Sequence, residues 1–321
     1  MCAMKNGWQR LKPLQQLNEQ QINEIMRAAF PTKKVRKFIL LSGGLANTNY
    51  CCLFDDNSKI LLRIYTRDKN ACLLEKKIHQ LLKNNLPIPE ILHLDNSQKI
   101  IPHPFVIMQW HEGISLRQAI DQKLKGLPPI FFKLGTYLQV LQKHSFSQIG
   151  TLDEKLNVKP FFSGKNNPFL TYIYQCLQTD SIQGAIENSL LKKIHVYLNK
   201  NEYLYPKIYR NIHLSHGDYN PANILICPKS LDITAILDWE FSFAGSLYCD
   251  IGNMLRDEHV FPQQCVYQFV AGVQNGKQKL DQNWQKMCKL IDLTNLIAFL
   301  SSPSCVTRKT DALALITQTV K

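Results

Sequence analysis

Residues 216–240 limit what this chain can fold into more than any other stretch. They read His216-Gly217-Asp218-Tyr219-Asn220-Pro221-Ala222-Asn223, then two short apolar runs, then Asp238-Trp239-Glu240. The runs Asn223–Ile226 and Ile233–Leu237 have the apolar, β-branched character of two strands joined as a hairpin. A hairpin brings Asn223 and Asp238 together although fifteen positions separate them. Asp218 lies five positions before Asn223. One loop and one hairpin thus gather a carboxylate, an amide and a second carboxylate. A cap-like Asp and a loop Asn would explain an isolated His-x-Asp, but not this spacing with both strands and the following Asp.

These residue types suit phosphoryl transfer to a hydroxyl. A hydroxyl attacks better when a carboxylate accepts its proton, the role assigned to Asp218. A nucleoside triphosphate arrives with Mg2+, a hard ion that prefers oxygen ligands and keeps several waters. Asn223 and Asp238 offer such oxygens.

The rest of the chain divides in two. Helical spacing of Ile22, Ile25, Met26 and Ala29 predicts a helix over 18–30, ended by Pro31. Strand-like runs follow near 35–41, 48–54 and 59–65, the last two joined by an Asp55–Ser58 turn. Leu74, Ile78, Leu81 and Leu82 predict a helix at about 69–84, and Pro87 and Pro89 interrupt the chain before strands near 90–95 and 104–109. Beyond Trp110-His111-Glu112-Gly113 the pattern turns helical. Ile130, Leu134, Leu138 and Leu141 mark one helix, and segments near 167–200, 246–258, 260–275, 281–300 and 305–320 mark others. The expectation is an α+β protein of two lobes: an antiparallel sheet lobe over 1–110, a short hinge, and a mainly helical lobe over 111–321. The cleft between lobes is the default ligand site.

Two features of the first lobe suit phosphate. Ser42-Gly43-Gly44-Leu45-Ala46-Asn47-Thr48 joins the first two strands, and paired glycines let backbone N–H groups approach phosphate oxygens. The loop lacks the Gly-Lys-Ser/Thr ending of a Walker A loop and, alone, also fits an ordinary hairpin turn. Arg63 sits inside the apolar run Ile60–Tyr65, where a charge is costly unless paired. Glu75 on the next helix and nucleotide phosphates are its natural partners, and Arg can grip phosphate with two parallel hydrogen bonds. A solvent-facing Arg63 and a solvated Glu75 are the plainer alternatives.

Bulk properties set outer bounds. At 321 residues, 45% hydrophobic and 20% charged, the chain can bury a full core like an ordinary soluble protein. No apolar run approaches the ~20 residues that span a bilayer, and the polar Met1–Pro13 lacks a signal core. Ten cysteines without metal-ligand spacing read as reduced thiols of a cytoplasmic protein, with Cys51 and Cys52 on opposite faces of a strand. A net charge of +13 attracts polyanions. The densest cluster, Lys33-Lys34-Val35-Arg36-Lys37, has no accompanying nucleic-acid motif, so it reads as a solvated approach to the first strand.

Together these residues resemble the aminoglycoside phosphotransferase and choline kinase-like superfamily of small-molecule kinases. The similarity runs from about Phe38 to Arg256. It rests on His216–Ile226, Ile236–Phe241, the continuation from Gly245 through Asp250 to Asn253, and Phe105–Gly113. The resemblance implies a bilobal protein-kinase-like fold that uses ATP or GTP with Mg2+. It implies that Asp218 is the catalytic base, that Asn223 and Asp238 bind metal, and that the hinge around Met108, Gln109, Trp110 and His111 meets the purine. It casts His216 as a buttress of the loop and Asp250 as its holder or as a group near the substrate. Arg63 stands where many aminoglycoside kinases carry Lys, which is nearer the choline kinase-like branch. Asp-Trp-Glu replaces Asp-Phe-Gly, and no Ala-Pro-Glu or phosphorylatable activation loop follows, which argues against protein-kinase regulation.

The resemblance implies a small-molecule hydroxyl as the acceptor. In this superfamily the helical lobe binds it. Residues 151–210 and 251–321 each hold eight Lys/Arg against five Asp/Glu, so composition leans away from a dedicated polycation site, although Asp257-Glu258 and Glu112 are candidate carboxylates. A neutral metabolite, an amino alcohol such as choline or ethanolamine, or a sugar fits as well. A nucleotide-binding protein without catalysis and a polyanion-binding module are the alternative classes. The sequence gives no oligomeric state.

Overall fold

A computed structural model describes residues 8–10, 12–161, 167–276, 279–301 and 306–321. Residues 1–7 of the polar N-terminus, Cys2 among them, and Cys305 lie outside the described residues.

Alternation of side chains along strands organises the first lobe. Helix α1 (Glu19–Ala29) starts at Asn18, whose side chain and that of Gln21 cap each other's backbone N–H. Strands β1 (Val35–Leu41), β2 (Thr48–Phe54) and β3 (Lys59–Ile64) follow, then α2 (Ala71–Leu82), β4 (Ile91–Asp95) and β5 (Phe105–Gln109). They form one antiparallel sheet in the order β1-β2-β3-β5-β4. Ile60, Leu62 and Ile64 of β3 and Phe105 and Ile107 of β5 pack with Ile22, Ile25 and Met26 of α1. The intervening Val106 and Met108 pack on the other face with Tyr65, Ala71 and Cys72. Arg63 belongs to that second face, the α2 face. Cys52 lies in the α1-side core and Cys51 points away from it, as the alternation requires.

The second lobe begins with β6 (Ile114–Ser115), α3 (Leu116–Asp121), α4 (Pro128–Leu141), β7 (Ser145–Phe146), β8 (Gly150–Leu152) and β9 (Val158–Pro160). Helices α5 (Pro168–Leu177), α6 (Asp180–Gln183), α7 (Asn188–Asn201) and α8 (Tyr205–Ile208) come next, then β10 (Ile212–Ser215), β11 (Ile224–Ile226), β12 (Ile233–Ile236) and β13 (Phe243–Gly245). Helices α9 (Leu247–Leu255), α10 (Gln263–Val273), α11 (Trp284–Ser301) and α12 (Val306–Thr319) close the chain. The helix expected over 167–200 is three helices. Thr179 ends the first by donating its hydroxyl to the Cys176 carbonyl at 2.7 Å, and Gly184 caps the second. The helical lobe also contains a five-stranded sheet, β7-β10-β13-β8-β9, built from strands too short to carry a readable pattern. The expected hairpin is present as β11 and β12, with β6 added at the β11 edge.

Helix α2 joins the lobes. Its Ala71 and Cys72 face the sheet, while Leu74, Ile78 and Leu82 belong to the large core of the helical lobe. The Ile236 amide donates to the Pro87 carbonyl at 2.7 Å, tying the hairpin to the segment after α2. Among the described residues no helix is long and apolar enough to cross a membrane, and the eight described cysteines are all free thiols.

Candidate active site

The site is assembled where β10, the β11–β12 hairpin and β13 converge. Gly217 follows β10 with φ of 83°, and a Cβ there would lie 2.3 Å from the Phe241 carbonyl oxygen, so only glycine fits. The loop then reaches Asn220, which caps the single 3-10 turn Pro221–Asn223 by accepting from the Ala222 amide at 3.0 Å. The Asn220 Nδ2 donates to one Asp218 carboxylate oxygen at 2.8 Å, and the Asn223 Nδ2 donates to the other at 2.9 Å. Asp218 is thus held on both oxygens by amides.

The same bond orients Asn223. Its Nδ2 is spent on Asp218, so its Oδ1 is free to face a cation. The Leu237 amide donates to the Asn223 carbonyl at 2.8 Å, which sets Asp238 beside Asn223 as the hairpin reading expects. Asp238 has φ of 62° and ψ of 55°, the left-handed region that Asp tolerates better than most side chains. That conformation ends β12 abruptly and starts the 3-10 turn Trp239–Phe241. The Asp238 side chain keeps 30% of its surface exposed, enough to be reached from the cleft.

Below this loop lies a buried scaffold. Asp250, near the start of α9, accepts the His216 amide at 2.9 Å and the Gly217 amide at 3.1 Å. Burial pushes its carboxyl up to about 7, and the two N–H groups only partly offset that. The Asp218 amide donates to His216 Nδ1 at 3.2 Å, and His216 Nε2 lies 2.9 Å from the Leu237 carbonyl. A ring that accepts at Nδ1 and donates at Nε2 is the neutral tautomer. Burial lowers its pKa accordingly. The ring tilts against Trp239, centroids 4.4 Å apart, and the Trp239 Nε1 donates to the Ile236 carbonyl at 2.9 Å. His216 therefore buttresses the loop.

The first lobe contributes a charged cluster. Arg63 donates from Nη1 to Glu75 at 3.0 Å and pairs through Nη2 with Asp238. Arg63 and Glu75 are 4% and 1% exposed, so the solvent-facing alternatives for both are overturned by the way β3 directs Arg63 onto α2. Burial pushes the Glu75 carboxyl up, but Arg63, then His79 and the Tyr65 hydroxyl, outweigh it and hold it down to about 2. Burial opposes the Arg63 charge, yet Asp238 and Glu75 raise its pKa well above the ordinary value.

Of the glycine-loop residues, Ser42, Gly43 and Gly44 are exposed, and nothing lies within 4 Å of a Cβ built on Gly43. Asn47 is buried and its Nδ2 donates to Glu240 Oε1 at 2.9 Å, across the cleft. The Thr48 hydroxyl accepts from the Gln15 amide at 3.0 Å. In the hinge, the Met108 side chain is buried in the α2-side core, Gln109 is exposed, and Trp110 is half-buried under Lys59. Gly113 has φ of 147°, and a Cβ there would meet the Ile226 carbonyl at 2.6 Å, which lets the hinge lie against β11.

Four residues of this site were not anticipated: Asn220, Glu240, Asn253 and Arg256. Burial and the neighbouring Glu75 and Asp238 raise the Glu240 carboxyl to about 7, with Arg63 opposing. Its sequence signal was the second carboxylate two positions after Asp238. The Asn253 Nδ2 donates to the Gly217 carbonyl at 3.1 Å, and the Arg256 guanidinium links Asn253 to Asp292 of α11. Nothing local in sequence signals that linkage, which spans 36 positions.

Among the described residues no group of three His, Cys, Asp or Glu side chains forms a self-sufficient metal cage. Mg2+ needs none, because one or two protein oxygens suffice when phosphates supply the others. The free Asn223 Oδ1 and the accessible Asp238 carboxylate fit that requirement.

The same architecture occurs in solved structures. A GDP complex of an aminoglycoside 2'-phosphotransferase-IIIa variant matches with a TM-score of 0.72 at 16% identity, over 94% of this chain and 97% of that one. A ternary complex of the aminoglycoside phosphotransferase APH(4)-Ia with AMP-PNP and hygromycin B matches at 0.66 and 14% identity, over 94% and 96%. At these identities the likeness shows the fold: a sheet lobe and a helical lobe in the aminoglycoside phosphotransferase arrangement. The model of the APH phosphotransferase enzyme family matches residues 37–289, and the chain belongs to that family.

Two longer proteins are also similar. Mouse acyl-CoA dehydrogenase family member 10 is 27% identical over 219 residues, 65% of this chain and 19% of that protein. The probable acyl-CoA dehydrogenase IBR3 of Arabidopsis thaliana is 25% identical over 171 residues, 52% of this chain and 20% of that protein. The chain covers about a fifth of the length of each.

Proposed function

We propose that this protein is a Mg2+-dependent phosphotransferase that moves the γ-phosphate of ATP or GTP to a hydroxyl of a small molecule. One observation carries the reading. Asp218 is clamped between two amide donors, and one of those donors, Asn223, is thereby turned to offer its oxygen beside Asp238. A turn without chemistry has no use for a carboxylate held this rigidly beside an amide oxygen and a second carboxylate.

In this reading the lobe over 1–110 holds the nucleotide and the lobe over 111–321 holds the acceptor. The acceptor hydroxyl gives its proton to Asp218 as its oxygen bonds to the γ-phosphorus. The bond from that phosphorus to the bridging oxygen breaks, and the nucleoside diphosphate leaves. Asn223 and Asp238 hold Mg2+, which supplies charge neutralisation on the phosphates. Arg63, kept in place by Glu75, exchanges part of its contact with Asp238 for phosphate oxygens. His216 and Asp250 hold the loop. The backbone of 108–111 meets the purine, since the Met108 side chain belongs to the core. Nucleotide complexes of proteins with this fold, with AMP-PNP and with GDP, support nucleotide use.

A polycation is disfavoured as acceptor. Asp257 is paired with Arg117 at 2.8 Å and Glu112 with Lys59 at 2.6 Å, so two of the three candidate carboxylates are already answered, which leaves Glu258. A groove on the helical lobe is lined by Arg256, Glu258, His259, Lys289 and Asp292, so it carries both signs of charge and no surplus of carboxylates for a polycation.

The test is release of ADP or GDP by the purified protein with Mg-ATP or Mg-GTP and a panel of hydroxyl acceptors: aminoglycosides, choline, ethanolamine, homoserine, thiamine and sugars. Acceptor-dependent release that vanishes in Asp218→Asn supports the proposal. Equal release by that variant refutes it.

A further inference from the structure

The segment ahead of α1 ties the end of the helical lobe to the glycine loop of the sheet lobe. Trp8 is buried in the helical lobe's core, edge-on to Phe299 of α11 with centroids 5.3 Å apart. Its Nε1 donates to Asp311 of α12 at 2.7 Å, and Arg308 lies 4.8 Å over its ring. Two residues later, Arg10 donates from Nη1 to the Gly44 carbonyl at 2.6 Å and to the Asn47 carbonyl at 2.8 Å. The attachment continues along the sheet lobe. Lys12 donates to the Thr66 carbonyl at 2.8 Å, the Gln15 amide to the Thr48 hydroxyl, and the Leu17 amide to the Tyr50 hydroxyl at 2.8 Å.

These bonds bear on the loop's amides. The Thr66 hydroxyl also donates to the Ala46 carbonyl, at 3.1 Å. Three loop carbonyls, those of Gly44, Ala46 and Asn47, are therefore held by side chains. In a planar trans peptide the N–H points opposite to the C=O. Holding these carbonyls turns the amides of Leu45, Asn47 and Thr48 away from Arg10 and Thr66, which is how a loop presents N–H groups to an anion. Arg10 also brings its charge to the loop, and its Nη2 is enclosed without a protein acceptor.

We propose that Arg10 is a positioning residue for the nucleotide triphosphate, and that through Trp8 it makes the phosphate grip depend on the α11–α12 end of the helical lobe. The inference rests on the phosphotransferase reading above. It adds a residue outside the matched family segment 37–289 to the nucleotide site.

Calorimetric titration of the full chain with Mg2+ and non-hydrolysable ATP and GTP analogues, and with adenosine and guanosine, tests it without knowledge of the acceptor. Arg10→Ala is expected to raise the Kd of the preferred triphosphate analogue about 10-fold, as loss of a charged hydrogen-bonding group does, with the nucleoside Kd unchanged. Arg10→Lys, which keeps the charge, is expected to recover part of the loss. Trp8→Ala is expected to weaken the triphosphate about 3-fold, the size of a lost indirect restraint. Asp311→Ala, which removes the Trp8 Nε1 acceptor without emptying the core, carries the same expectation should Trp8→Ala fail to fold. An Arg10→Ala protein with wild-type triphosphate affinity overturns the inference, as does one that loses nucleoside and triphosphate affinity equally. Full affinity in Asp311→Ala overturns the link to the helical lobe. Wild-type protein that binds neither analogue removes the phosphotransferase reading and this inference with it, so the two failures are distinguishable.

Discussion

Glu75 and Asp250 are both buried carboxylates beside the same cleft, 1% and 2% exposed, yet the fold neutralises them in opposite ways. Glu75 meets a cation, and its carboxyl is held down to about 2. Asp250 meets two backbone N–H groups, and burial carries its carboxyl up to about 7. The difference matches what the proposed function asks of each region. Arg63 is shared between Glu75 and Asp238, so it can turn part of its charge toward an arriving phosphate without leaving the α2 anchor. The Asp250 bonds run to main-chain amides of the loop itself, so they fix geometry and exchange with nothing. Under the proposed function, one region is redistributed on nucleotide binding and the other stays still.

The largest effect expected from breaking this contrast is on the fixed side. Asp218→Asn keeps the loop's size but removes the proposed proton acceptor. Turnover should fall about a thousandfold, within the range for a lost general base, while Mg-nucleotide affinity stays near wild type. Single-turnover kinetics with nucleotide titration separates the two. A variant with full turnover would refute the role of Asp218.

On the redistributable side, Arg63→Met leaves Glu75 buried without its cation. Breaking a buried pair by removing one partner costs about 3–5 kcal/mol, so a large drop in the denaturation midpoint should accompany loss of nucleotide binding. The double variant Arg63→Met/Glu75→Leu should regain much of the stability and none of the binding. If the single and double variants are equally stable, the pair is not what holds α2 to the sheet.

Asp250→Ala probes the scaffold. It strands the His216 and Gly217 amides in a buried site, at about 1–3 kcal/mol for an unsatisfied buried group. Denaturant titration measures the loss, and turnover should fall with little change in nucleotide affinity. A loss of nucleotide affinity larger than the loss of turnover would place Asp250 among the binding groups instead.

The same contrast separates what was legible in the sequence from what was not. The catalytic loop is local. Asp218, Asn223 and Asp238 stand on one loop and one hairpin, so spacing and strand pattern sufficed to expect them together. The sheet lobe was legible for a related reason: its strands are five to seven residues long, enough for each to stand out as an apolar run between turns. The β7-β10-β13-β8-β9 sheet was not legible, because strands of two to four residues carry no period. The Arg63–Glu75 pair could be expected from an isolated charge in an apolar strand and a carboxylate on the next helix. Its extension to Asp238, and the Asn47–Glu240 bond, cross from one lobe to the other over 175 and 193 positions. No local rule reports such contacts, since they depend on how α2 seats the sheet lobe on the helical lobe. The breaks at Thr179 and Gly184 were hidden by a continuing apolar pattern, and only the capping bonds decide them.

The smallest expected effect concerns pH, and it should have opposite signs in the two regions. The Glu75 carboxyl is depressed from 4.5 to about 2, so its ion pair contributes full stability above pH 4.5 and loses it as pH falls toward 2. The Asp250 carboxyl is raised from 3.8 to about 7, so the folded protein binds a proton that the unfolded chain has released. Its contribution is therefore most favourable below about pH 4 and declines as pH rises through 7. Relative to Glu75→Gln, wild-type stability should shrink on acidification below pH 4.5. Relative to Asp250→Asn, it should instead shrink on raising the pH from 4 to 7. Denaturant titrations of the three proteins from pH 2 to 8 measure both slopes. Parallel curves for wild type and Asp250→Asn would mean that the two amides already hold Asp250 ionised throughout, and that backbone N–H groups stabilise a buried carboxylate as well as a cation does.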